Sequence, residues 1–143
     1  MEMPNVRKFY LYQLTVLFSV LFSLLGFSYN VWRMQVTEQN SNIRIACFEI
    51  LLKLSSLEQL IYAAHYDSNT TEGNPRVGWV KVGLITDLSV LTTPTVETQS
   101  ASLKSVWSDN WHTMSKNSDS LAKIVNAIDS TRIEIKQVLI SLE

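Results

Sequence analysis

The sequence predicts an all-α protein: a single N-terminal transmembrane helix followed by an up-and-down antiparallel bundle of four helices. Three observations predict it. Residues 9 to 32 contain no Asp, Glu, Lys, Arg or His. Beyond them, four stretches place apolar residues at intervals of three and four. Only 4 Gly and 3 Pro occur in 143 residues, too few for the many turns of an all-β domain.

The uncharged segment comes first. As a helix it is roughly 36 Å long, enough to cross a hydrocarbon core of about 30 Å. Phe9, Tyr10 and Tyr12 stand at one end and Tyr29 and Trp32 at the other, where amphipathic rings suit the headgroup layer. Arg7 and Lys8 precede the segment and Arg33 follows it. This bias predicts residues 1–8 in the cytoplasm, 9–32 as a signal anchor across the inner membrane, and 33–143 as a periplasmic or otherwise extracytoplasmic domain. The alternative is a cleaved secretory signal, with Leu11 to Leu25 as its apolar region and Gly26-Phe27-Ser28 as the cleavage site, which would release a helical protein. A type IV pilin is excluded because no Glu occurs between Glu2 and Glu38. Thr15, Ser19 and Ser23 recur every fourth residue, a small-residue spacing that lets two spans approach closely.

The first helix outside the membrane is expected from about Asn40 to Tyr66, with Ile43, Cys47, Ile50, Leu51, Leu54, Leu57, Ile61 and Ala64 on its apolar face. Neither Gly nor Pro interrupts Phe27 to Tyr66, so this helix can be continuous with the span. Residues 67–75 read as an exposed loop. Asn74-Pro75 then supplies a cap and a first-turn proline for a second helix to about Leu91, with Val77, Val80, Leu84, Leu88 and Leu91 on one face. Thr93-Pro94 repeats the signal for a third helix to about Lys116, carrying Val96, Leu103, Val106, Trp107, Trp111 and Met114. Ser118 or Asn117 caps the fourth, whose stripe is Leu121, Ile124, Val125, Ile128, Ile135, Val138, Leu139 and Leu142. Short connections make the neighbours antiparallel. A three-helix bundle, with the first helix packing only at its far end, is the structural alternative.

Composition narrows function. Past Arg33, nine Lys and Arg face twelve Asp and Glu, a net charge of about −3, which is no footprint for nucleic acid. The single Cys forms no internal disulfide, and Cys47 on an apolar face reads as an inert small hydrophobe. His65 and His112 match no zinc spacing, even with Asp67 or Asp109 added. No nucleophile elbow or phosphate-binding glycine loop occurs. The expectation is therefore no catalysis, no cofactor and no metal.

The constellation left is aromatic. Trp107 and Trp111 are one helical turn apart, and Trp79, Tyr66 and Arg76 are expected at the same end of the bundle. Arg76 among these rings suits a small anion, an aromatic amine or a partner protein, while the competing expectation is that the tryptophans fill the core with their N–H groups bonded. The sequence as a whole predicts an envelope interaction or assembly subunit, docking a protein partner or a second copy, and contacting the lipid bilayer through 9–32. An alternative is a ligand-sensing bundle, whose layout resembles the periplasmic sensor domains of bacterial chemoreceptors. That resemblance is architectural and matches no motif residue by residue. Those receptors re-enter the membrane after their last helix, whereas this sequence stops at Glu143, so the expectation is a tether that signals through a partner.

Overall fold

A computed structural model describes residues 5–142, so the expectations for residues 1–4 and for the end at Glu143 lie outside the described residues. Four helices and no strand occur among the described residues: α1 (Asn5–His65), α2 (Pro75–Ser89), α3 (Pro94–Asn110) and α4 (Ser118–Ser141). The protein is all-α. It divides into two units, residues 1–39 and 40–143.

The first unit is helical from Asn5 onward. Its large apolar side chains, from Val6 through Phe18 and Phe22 to Val36, are exposed, with Val31 alone half-buried. The helix is long and apolar enough to cross a membrane. Thr15 donates its hydroxyl to the Leu11 carbonyl at 2.8 Å, and Ser23 donates to Ser19 at 2.8 Å. Both hydroxyls are thus satisfied within their own helix.

The second unit is a four-helix bundle, and the caps explain its boundaries. Asn74 Oδ1 accepts the Arg76 N–H at 3.0 Å ahead of Pro75. Thr93 Oγ1 accepts from Val96 ahead of Pro94. Asn117 accepts from Asp119 at 2.8 Å and Ser120 at 3.4 Å. Each cap satisfies amide donors that the first turn leaves free.

The core takes Cys47, Ile50, Leu54, Leu57 and Ile61 from α1, Val82 and Ile85 from α2, and Val96, Leu103 and Trp107 from α3. Leu121, Ile124, Ile128, Ile135 and Val138 complete it from α4. Because α1 contributes this buried stripe, the bundle has four helices rather than three. Arg44 donates to the Leu142 carbonyl at 3.2 Å, and Glu58 pairs with Arg132 at 2.6 Å, so α1 and α4 run antiparallel. Lys81 donates to Ser56 across α1 and α2. Neighbouring contacts join α2 to α3 and α3 to α4.

Two expectations are corrected. The buried face of α2 is Gly78, Val82, Ile85 and Ser89, not the Val77, Val80, Leu84, Leu88 and Leu91 stripe. Val77, Val80, Leu84 and Leu91 are exposed and Leu88 is half-buried. Both faces of this helix are apolar, and the smaller one wins because it allows close approach: a Cβ on Gly78 would lie 2.3 Å from Trp107 Cη2. The second correction concerns α3, which ends at Asn110 rather than near Lys116. Asn110 Nδ2 takes the Val106 carbonyl at 2.8 Å, and Thr113 bonds Ser120 at 2.8 Å, so local side-chain bonds turn the chain.

Cys47 is fully buried, and burial pushes its thiol above its ordinary range. Thiol-specific labelling of the native protein is expected to be slow. In urea it should become fast, and rapid native labelling would contradict the packing of α1.

Candidate functional site

The five residues singled out by sequence differ in their surroundings. Trp107 is fully buried in the core, against Gly78, and meets Trp79 edge-on with centroids 6.4 Å apart. It packs with Trp79 rather than stacking on Trp111. Its Nε1 lacks a hydrogen-bond partner, contrary to the expectation that each buried indole N–H is bonded. Tyr66 is exposed and packs on Tyr62 at 5.8 Å and on the His65 ring at 4.8 Å. Arg76 is exposed at the start of α2, where the bond described is from its backbone N–H.

Trp111 belongs to a different feature. The 67–74 loop and the 111–116 turn share one end of the bundle and enclose an open cleft of about 380 Å³. His65, the last residue of α1, ties the 111–116 turn to that helix: its Nδ1 lies 2.7 Å from the Met114 carbonyl. A carbonyl only accepts, so Nδ1 carries the proton in that bond.

The floor of the cleft is apolar. Ala64 and Met114 are buried, and Gly73 sits so near α1 that a Cβ there would be 2.6 Å from the Ala64 Cα. Pro75 and the half-buried Trp111 add walls. The rim is polar, with Ser68, Thr70, Ser115, His112 and Lys116. Asn69 shapes the loop from within, its Oδ1 accepting from Thr71 and Glu72 at 3.1 Å each. Ser68 takes a left-handed conformation, with φ of 51°. Sequence reasoning missed this cleft because its lining comes from segments some forty residues apart. The signal that was present is the loop composition around Gly73 beside Trp111.

A second feature lies on the outer side of α1 and α2. Ser56 and Lys81 mark the seam between these helices. Leu52 is one turn from Ser56, and Val77 and Leu84 are one turn on either side of Lys81, so all three border the seam. Ile45 and Phe48 extend it along α1, Val80 adds to it on α2, and Leu91 lies in the turn that follows α2. Ile45, Phe48, Leu52, Val80 and Leu91 are each more than half exposed.

A third feature is ionic. Arg132 pairs with Glu58 at 2.6 Å and Asp129 at 2.5 Å, and Tyr62 donates its hydroxyl to Glu58 at 3.1 Å. The Tyr62 phenol is raised above its ordinary range, first by burial and then by its bond to Glu58. This cluster clips α4 to α1. No group of three or more potential metal ligands occurs among the described residues.

Comparison of the chain with protein-family models, curated proteins and solved structures finds no match to any of them.

Proposed function

We propose that this protein is a non-enzymatic, single-pass, membrane-anchored helical bundle of a bacterial envelope that acts as an interaction or assembly subunit. Residues 33–143 lie on the extracytoplasmic side of the inner membrane. The anchor is supported by the uncharged 9–32 segment, its aromatic ends, and the exposure of its apolar side chains. The orientation is supported by Arg7 and Lys8 before the span against Arg33 after it.

The observation that carries the interaction reading is the apolar seam of α1 and α2. A concentration of exposed apolar side chains of this kind marks association sites. Its residues recur at spacings of three and four along both helices, which suits a partner offering a helix or a shallow groove. The partner is a protein rather than a lipid surface: Glu49 and Asp87 are exposed on the same two helices, and anionic headgroups repel carboxylates.

The test is site-specific photo-crosslinking in intact membranes, with the crosslinker at Phe48 and, as a control, at Lys136 on α4. A defined adduct from position 48, absent from position 136, is expected. Its mass distinguishes a second copy from another protein. No discrete adduct from 48, or equal adducts from both positions, would sink the reading. Loss of residues 1–28 from the intact mass would replace the anchor with a cleaved leader.

A second reading is a ligand-sensing bundle that signals through a partner. The observation that favours it is the cleft at the 67–74 and 111–116 end.

A further inference from the structure

We infer that the end cleft is a binding site for a small carboxylate with an aromatic or similarly flat apolar body. The inference rests on the ligand-sensing reading and is independent of the α1–α2 seam. Three properties of the cleft carry it. First, its size: about 380 Å³ is within the range of small-molecule sites. Second, its charge: Lys116 and His112 line it, and no Asp or Glu does, in a chain where acidic residues outnumber basic ones. Among the described residues neither side chain makes an ion pair or a hydrogen bond, so the Lys116 ammonium is uncommitted.

Third, its shape: buried Ala64 and Met114 and the half-buried indole of Trp111, which meets the His112 ring edge-on at 6.0 Å, line it together and supply apolar surface for a flat ligand body. A ligand that satisfies all of these carries its negative charge at one end and its apolar body at the other. The hydroxyls of Ser68 and Ser115 on the rim supply donors for the second carboxylate oxygen. A dicarboxylate would place its second charge over the apolar floor, and a bare inorganic anion would leave that floor wet.

The test uses the full chain in detergent micelles, titrated calorimetrically with phenylacetate, phenylacetamide and acetate against a micelle blank. Phenylacetate is expected to bind. Phenylacetamide and acetate should each bind roughly tenfold more weakly, one lacking the charge and the other the ring. Lys116→Met and Trp111→Ala should each weaken phenylacetate binding roughly tenfold, while Lys136→Met, on the surface of α4, should leave it unchanged. Circular dichroism confirms that each variant is folded. Equal binding of phenylacetate and phenylacetamide would overturn the anion assignment while leaving a ligand site in place. Binding that survives both cleft substitutions would place the ligand elsewhere and overturn the proposal. No binding of any of the three would remove the ligand-sensing reading with it.

Discussion

Replacing Gly78 with alanine is expected to destabilise the bundle by about 2 kcal/mol, the range of overpacking in a filled core. Helix propensity alone predicts the opposite sign, since Ala is favoured over Gly by about 1 kcal/mol in a helix interior. The conflict is decided by one contact: the new Cβ would lie 2.3 Å from two atoms of the Trp107 ring. That ring is fully buried, so it has nowhere to swing. Gly83, five residues on in the same helix, is the control. A Cβ there meets nothing within 4 Å, and Gly83→Ala should stabilise by up to about 1 kcal/mol. Urea denaturation of the full chain, followed by circular dichroism, gives both values. Trp107→Phe should offset part of the Gly78→Ala loss, so the double variant loses less than the two singles together. If Gly78→Ala and Gly83→Ala shift stability alike, α2 does not pack on Trp107 as described.

The second large effect is expected at Arg132. Its guanidinium is 22% exposed and Glu58 is 23% exposed, between a solvated surface pair and a fully buried one. Exposed pairs contribute about 0–1 kcal/mol, and removing one partner of a buried pair costs about 3–5 kcal/mol. Arg132→Ala should therefore cost about 2 kcal/mol. Much of that is the penalty of leaving Glu58 and Asp129 without their cation. Arg132→Met combined with Glu58→Gln should recover part of it, because the methionine keeps the apolar stem and no charge is left stranded. A loss that disappears in high salt would reclassify the cluster as a surface pair.

What the sequence made legible follows the range of the interactions involved. The caps at Asn74, Thr93 and Asn117 are local: side chain, amide and proline lie within a few residues, and each helix begins where those residues place it. The stripe of α4 was equally legible, because its apolar residues, Ile133 and Ile140 apart, lie on one face. The orientation of α2 was not, since Val77, Val80 and Leu84 compete with Val82 and Ile85, and the choice depends on Trp107 from another helix. Trp111 was read as part of a helix face, yet the bonds of Asn110 and Thr113 turn the chain first and carry it to the cleft. Lys116 and His112 are not legible as a pair in the sequence, since only the approach of the 67–74 loop gives them a common cavity.

The seam between α1 and α2 also governs how the helical unit behaves as a colloid. Its folding depends on a core that α1 to α4 complete together, but its solubility depends on the outside. A fragment starting at Asn40 would keep that core and still present Ile45, Phe48, Leu52, Val80 and Leu91 to water. Concentration, rather than temperature, would then set the practical limit on such a sample. Charged substitutions at Phe48 and Leu52 are the places to raise that limit without touching a buried side chain.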